Sequence, residues 1–200
     1  MRSCPWLTSP FNTRADRSCT VGMVSGSIAD GAPARVTEWF SRRTSDIDSW
    51  PLSRVHAAKG DTAVAVVLPA RDEESTVGEI VEAIRADLTV PAARLVDEVI
   101  VVDSGSRDAT ARVAADSGAR VVRLDDVLPD IPHRLGKGEA MWRGLAATDA
   151  DVVVYVDADL QSFDPRFVMA LLGPLLTDPS VSFVKAAYDR PPTDPSVPSN

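Results

Sequence analysis

The sequence is poor in cysteine, in long apolar runs and in positive charge. Its only cysteines, Cys4 and Cys19, precede the segment with folding potential, so the fold depends on no disulfide. Nowhere do about 18 apolar residues follow one another, which excludes a membrane-spanning helix, and the first 20 residues lack the apolar core of a signal peptide. These absences predict a soluble protein of the cytoplasm.

The charge balance restricts the partners. The formal net charge is -8, and acidic residues are spread along the chain, so there is no broad basic field for a nucleic acid. A small anion is still compatible with this balance, because a few local basic side chains and backbone N–H groups can hold a phosphate. Nucleic acid is therefore not expected as a partner, whereas a phosphorylated small molecule is.

Changes in composition and hydrophobic periodicity divide the chain into three parts. Residues 1–36 are rich in small and polar residues without periodicity and are predicted to form a disordered leader. Residues 37–190 are predicted to be one folded domain, and residues 191–200 a Pro-rich tail. Large apolar side chains early in the domain are expected to pack against the rest of it: Trp39, Phe40, Trp50, Leu52 and Val55.

From residue 62 onward, short β-branched runs alternate with amphipathic stretches. Strands are predicted at 63–68, 96–102, 119–124, 152–156 and 181–187, and helices at 75–88, 106–117, 138–148 and 167–176. Repeated β-α units with apolar strands indicate an α/β fold, a Rossmann-like sandwich with a mostly parallel central sheet and helices on both faces. Ligands of such sheets bind beyond the carboxyl ends of the strands.

Carboxylates are concentrated at those strand ends. Asp157 and Asp159 follow an apolar strand, and in extended chain they point to the same side. At a separation of about 6 Å and a dielectric constant of about 20, they would repel by about 3 kcal/mol. A divalent cation turns this repulsion into attraction, and oxygen ligands suit Mg²⁺ or Mn²⁺. The alternative for acidic residues after strands is helix capping, which is expected of Asp108 and Asp164.

A basic, glycine-containing segment precedes the third helix. Gly136 and Gly138 allow close approach of the backbone to a ligand, and Lys137 brings a cation to the start of the helix. This arrangement is typical of a diphosphate site, although it is not a P-loop, because Lys137 precedes glycine instead of Ser or Thr. The alternative is a flexible loop with a solvated lysine.

The first β-α turn, residues 69–75, contains no glycine, which argues against a dinucleotide pyrophosphate at this helix start. Glu73 in this turn and Asp103 at the next strand end are instead predicted to accept hydrogen bonds from ribose hydroxyls or a base. Together they indicate a nucleoside pocket.

Four motifs in this order resemble GT-A type glycosyltransferases, and more narrowly the actinobacterial glucosyl-3-phosphoglycerate synthases. They are residues 67–74 (VLPARDEE), 102–108 (VDSGSRD), 136–139 (GKGE) and 157–159 (DAD). The resemblance extends from about residue 39 to residue 190. It implies a UDP-glucose donor, a 3-phosphoglycerate acceptor, a divalent metal, Mg²⁺ or Mn²⁺, and retention at the anomeric carbon.

The resemblance also implies site residues. A uridine pocket would be lined by Pro69, Ala70, Arg71, Glu73 and Ser104. Lys137 would approach the diphosphate, Asp157 and Ala158 would contact the donor, and Asp159 would ligate the metal. No residue is assigned as catalytic, because the acceptor-binding residues and a metal-binding histidine of the family would lie beyond Asn200. A homodimer is also compatible with the sequence.

Other functions stay open at this point. A haloacid dehalogenase type phosphatase also uses Asp-x-Asp with Mg²⁺, but the motif there closes the first strand and is followed by a small pair instead of Leu160-Gln161. A sugar nucleotidyltransferase shares the α/β design but usually opens with a glycine-rich loop. A non-catalytic nucleotide-sugar-binding fragment is the third alternative. The chain is expected to bind donor weakly and to transfer sugar poorly or not at all.

Overall fold

A computed structural model describes residues 33–132, 134 and 136–186 of the chain. Four strands form one parallel sheet in the order β3-β2-β1-β4: β1 (Val64–Ala70), β2 (Glu98–Asp103), β3 (Arg120–Arg123) and β4 (Val152–Tyr155). The helices are α1 (Ala34–Arg43), α2 (Leu52–Lys59), α3 (Val77–Ile84), α4 (Thr110–Asp116), α5 (Lys137–Ala146) and α6 (Arg166–Thr177). Two 3₁₀ turns span Ile47–Ser49 and Leu124–Asp126, and a π-helical turn, Arg85–Thr89, extends α3.

The sheet is buried on both faces because its central strands are apolar at successive positions. Val64, Val66 and Leu68 of β1 join one core, which includes buried residues of α2, α3, α4 and α6. Ala65 and Val67 point the other way and pack with α5. The period of two along the strand therefore builds the two helix layers. The predicted α/β sandwich with a parallel sheet is confirmed.

Capping carboxylates fix the starts of two helices. Asp108 Oδ1 accepts a hydrogen bond from the N–H of Thr110, the first residue of α4, at 3.0 Å. Asp164 Oδ1 accepts one from the N–H of Arg166, the first residue of α6, at 2.9 Å. These contacts satisfy N–H groups that have no partner inside the helix. Asp108 and Asp164 thus bond the first N–H groups of the helices as predicted, but from the residue before the N-cap positions, which Ala109 and Pro165 occupy.

Two predictions about elements are wrong. Residues 181–186 form no strand, because no neighbouring strand in the described part of the chain pairs with them, and Phe183 is 78% exposed. The second helix was expected from residue 106 but begins at Thr110, since the preceding residues bond to the loop after β1. Of the predicted leader, only residues 33–36 are described, and Ala34 begins α1; the predicted tail lies outside the described residues.

The segment before β1 is attached to the domain by Trp50. Trp50 is 7% exposed and lies over α6, where a Cβ atom added at Gly173 would fall 2.1 Å from the indole ring. The indole Nε1 donates to Ser45 Oγ at 2.8 Å. Val55 is also buried, whereas Trp39 is 63% exposed, so the expectation that Trp39 packs against the domain is wrong. Phe40 and Leu52 are half-buried.

Replacing Gly173 with alanine is expected to destabilise the domain by about 1–3 kcal/mol, because the added methyl group overlaps the rigid indole. Urea unfolding followed by circular dichroism measures the change. Gly138→Ala is the matched control, since a Cβ at that position of α5 meets nothing within 4 Å. An unfolding free energy of Gly173→Ala at or above that of the wild type would contradict the packing described for Trp50.

No helix in the described ranges is long and apolar enough to cross a membrane.

Candidate functional site

A cavity of about 400 Å³ opens at the carboxyl ends of the strands. Its lining combines three basic and three acidic side chains with small and apolar groups. It consists of Pro69, Ala70, Arg71, Glu73, Ser104, Gly105, Leu124, Asp125, Arg134, Gly136, Lys137, Ala140, Ala158 and Asp159. A cavity with both charge signs can hold an anion and a cation together.

Most of the residues predicted to bind a donor or a metal meet in this cavity. The end of β1 and the loop after it bring four of them, the loop after β2 one, the start of α5 one, and the segment after β4 two. They are Pro69, Ala70, Arg71, Glu73, Ser104, Lys137, Ala158 and Asp159. Asp103 and Asp157 are not among the lining residues.

Asp103 closes a turn at the end of β2. Its side chain is buried, and its Oδ1 accepts hydrogen bonds from the N–H of Ser106 at 3.1 Å and from Ser106 Oγ at 2.5 Å. The carboxylate thus fixes the loop that carries Ser104 and Gly105 to the cavity. The structure gives Asp103 a contact within the protein where the sequence predicted contact with a ribose or base.

The loops after β1 and β2 are bonded to each other. Asp72 adopts a positive φ of 58°, which directs its backbone N–H and its carboxylate towards the second loop. Six hydrogen bonds connect the two segments. They join the pairs Ala70–Ser104, Asp72–Ser106, Asp72–Arg107, Glu73–Thr110, Glu74–Asp108 and Glu74–Ala109. We call this pair of loops the nucleoside wall, residues 69–74 and 104–110.

Glu73 and Asp159 bring negative charge to the same space. Burial raises the pKa of the half-buried Glu73, and the charge of Asp159 raises that pKa further, while Lys137 lowers it. Asp159 is exposed to the cavity, and within the described residues it has no hydrogen bond or ion pair. The cavity therefore contains a carboxylate whose charge the described part of the protein does not pair.

Lys137 is the first residue of α5 and holds Asp157. Its Nζ lies 2.5 Å from Asp157 Oδ1, and both side chains are about half exposed to solvent. Gly136 before it has φ 129° and ψ 158°, a conformation that only glycine adopts readily. The positive end of the α5 dipole thus lies at the cavity beside a lysine, an arrangement that favours anions.

The donor set fits a divalent cation only in part. A carboxylate such as Asp159 is the hard oxygen ligand that Mg²⁺ and Mn²⁺ prefer. In the portion of the chain that the structure describes, no three His, Cys, Asp or Glu side chains are grouped so as to hold a metal by themselves. Asp159 can supply one ligand of such a site. Mg²⁺ usually takes its remaining ligands from water and substrate phosphates.

Some lining residues were not singled out from the sequence. Leu124 and Ala140 are apolar, and no pattern marks them as ligand contacts before the fold is known, whereas Gly105 lies in the motif of residues 102–108 without being singled out within it. Arg134 and Asp125 lie in the loop between β3 and α5, which the rule of strand ends does indicate as part of a site. The sequence thus identifies the loop without identifying which of its side chains face the cavity.

Comparison with known proteins agrees with this architecture. Residues 65–195 match the family model "Glycosyl transferase family 2". A glucosyl-3-phosphoglycerate synthase of Mycolicibacterium paratuberculosis is 44% identical over 176 residues, which are 86% of this chain and 52% of that protein. The chain spans about half the length of the curated relatives it matches.

Solved structures of glucosyl-3-phosphoglycerate synthase from Mycobacterium tuberculosis share the fold. One, in complex with Mg²⁺ and UDP, is 49% identical, with a TM-score of 0.59 over 64% of this chain and 44% of that one. Another, in complex with Mn²⁺ and UDP-glucose, is 48% identical, with a TM-score of 0.58 over the same shares. The sandwich is thus of the GT-A type, and the chain belongs to glycosyl transferase family 2.

Proposed function

We propose that this chain is the donor-binding part of an enzyme that transfers glucose from UDP-glucose to 3-phosphoglycerate with the help of Mg²⁺ or Mn²⁺. One observation carries the proposal: Asp159, a carboxylate without a hydrogen bond or ion pair among the described residues, and the lysine-bearing start of α5 line one cavity at the strand ends. The resemblance to glucosyl-3-phosphoglycerate synthases names the sugar and the acceptor. The cytoplasm is the proposed compartment, because residues 33–186 contain no cysteine and so need no disulfide.

The nucleoside wall would receive uridine. Glu73 presents carboxylate oxygens that can accept hydrogen bonds from ribose hydroxyls, and Ser104 offers a hydroxyl beside it. Pro69 and Ala70 provide a small, uncharged surface that a pyrimidine can approach. We propose that the base and ribose bind between these two loops.

The diphosphate would bind on the opposite side, near the start of α5. Lys137 can turn from Asp157 to a phosphate oxygen, since a half-exposed ion pair typically contributes no more than about 1 kcal/mol. Asp159 would hold the divalent cation, which supplies positive charge to the diphosphate when bound. During transfer, charge grows on the departing UDP, and the ammonium of Lys137 and the α5 dipole would stabilise it there.

Binding of the donor does not by itself imply that the isolated chain transfers the sugar. Because the chain spans about half of its relatives, acceptor binding is not assigned to any residue here. We propose that the isolated chain binds the donor without efficient transfer. The family match favours this interpretation over a nucleotidyltransferase or a dehalogenase-type phosphatase.

The proposal predicts selective, metal-dependent stabilisation by uridine nucleotides. UDP or UDP-glucose at 100 times its dissociation constant, with Mn²⁺, is expected to add about 2.7 kcal/mol to the free energy of unfolding. The stabilisation is measured by thermal unfolding in the presence of UDP-glucose, UDP, ATP or glucose 6-phosphate, each with and without Mn²⁺. Equal responses to all four ligands, or responses that ignore Mn²⁺, would contradict the proposed function.

A further inference from the structure

Arg143 of α5 is a buried cation that the roles proposed above do not use. It is 1% exposed, and its Nε lies 2.8 Å from Glu139 Oε1 one turn earlier. Its two terminal nitrogens donate to backbone carbonyl oxygens of the β3–α5 connection. Those acceptors are Leu124 at 3.4 Å, Leu128 at 3.1 Å and Ile131 at 2.6 Å, together with Val127.

So many acceptors explain how a guanidinium can be buried here. A charge removed from water is strongly destabilising unless it is paired and hydrogen-bonded. Glu139 balances the charge, and the carbonyl groups occupy the planar fork. A lysine has a single ammonium and cannot reach acceptors spaced along residues 124–131 in the same way. The site thus requires arginine by geometry as well as by charge.

The loop that Arg143 holds is one side of the cavity. We call the described residues of this connection, 124–132, 134 and 136, the phosphate wall, since Leu124 and Asp125 at its start and Arg134 and Gly136 at its end line the cavity. Between them, Leu128 has a φ of 55°, an unfavourable conformation for a side chain of this kind. Its carbonyl oxygen is one of those that Arg143 binds. The arginine therefore opposes relaxation of this turn.

We infer that Arg143 is a positioning residue for the diphosphate: it fixes the phosphate wall against α5 so that the wall and Lys137 face the ligand together. This inference rests on the proposed function, because it assigns the phosphates to that side of the cavity. The nucleoside wall lies on other segments, and among the residues that the structure describes, the hydrogen bonds of Arg143 go to α5 and to the connection before it.

The separation of the two walls provides the test. In Arg143→Lys and Arg143→Met, the dissociation constant of UDP is expected to rise by about tenfold, the equivalent of one misplaced charged hydrogen bond. The dissociation constant of uridine, which has no phosphate, is expected to stay within about twofold of the wild type. Both are measured by NMR titration at a temperature where circular dichroism shows each variant to be folded.

Arg112→Met is the matched control, because Arg112 forms an exposed pair with Asp116 on α4 and should leave both constants unchanged. Should both arginine variants fail to fold, Glu139→Gln retains the arginine and is expected to weaken UDP alone, by about twofold to fivefold. Equal losses for UDP and uridine, or no loss for either, would overturn the positioning role. A wild-type chain that binds no UDP would instead overturn the proposed function, and the positioning role with it.

Discussion

Replacing Asp159 with asparagine is expected to remove the metal-dependent part of UDP binding. The carboxylate lines the cavity and has no protein partner among the described residues, so its charge is available to a cation. An amide keeps the shape and the oxygen but loses the negative charge that a divalent ion requires. Changes outside the first ligand shell already cost 10- to 100-fold in metal affinity, so loss of a direct ligand is expected to cost at least about 100-fold.

Isothermal titration of UDP at saturating Mn²⁺ and with a chelator measures this effect. In the Asp159→Asn variant the two titrations should give nearly the same affinity, whereas the wild type should show a large difference. Asp149→Asn is the matched control. Asp149 is exposed and precedes the amino end of β4, so it lies at the end of the sheet opposite to the cavity. A variant at Asp159 that keeps its full dependence on Mn²⁺ would exclude this carboxylate as the ligand.

Replacing Lys137 with methionine is expected to weaken UDP by about 10- to 100-fold, both with and without metal. A hydrogen bond between charged groups is worth about 1.5–3 kcal/mol, and methionine retains the length of the side chain without its charge. The variant also leaves Asp157 without its cation, which adds negative charge near the phosphates. The effect should therefore decrease as salt screens these half-exposed charges.

The same titrations distinguish the two variants. Loss of Lys137 should lower UDP affinity even in the presence of a chelator, whereas loss of Asp159 should not. Lys185→Met serves as the control, because Lys185 is an exposed lysine in the segment after α6. An unchanged affinity of Lys137→Met would assign the diphosphate to another cation of the cavity, and among the described lining residues these are Arg134 and Arg71.

The order of the elements could be predicted from local pattern because the central strands β1 and β2 are apolar at successive positions and α3 has an apolar stripe. Val77, Ile80, Val81 and Ile84 of α3 are all buried, as their spacing predicts. The strand expected after residue 180 shows the limit of this reasoning. Alternating apolar residues indicate a strand only if another strand lies alongside, and local sequence does not reveal the neighbours.

The site could be predicted as a set of loops but not as a set of contacts. The rule that ligands bind at the carboxyl ends of parallel strands predicted the end of the sheet at which the cavity lies. Which carboxylate faces the cavity depends on competition that sequence does not show. Asp103 is held by Ser106 and Asp157 by Lys137, whereas Asp159 has no such partner in the described part of the protein.

Arg143 could not be identified because its role depends on distant backbone. In sequence it is one more basic residue on an amphipathic helix, four residues after a glutamate, a spacing that usually marks a solvated ion pair. Only the fold shows that it is buried beneath the connection from β3.

The hydrogen bonds between the loops after β1 and β2 have a thermodynamic consequence. Because those loops restrain each other in the free protein, this side is preorganised, and a bound nucleoside gives up mainly its own translational and rotational freedom. The entropy of binding uridine should then change little with the length of the phosphate chain attached to it. Additional phosphates would change mainly the enthalpy of binding, through their electrostatic interaction with Lys137 and the positive end of α5.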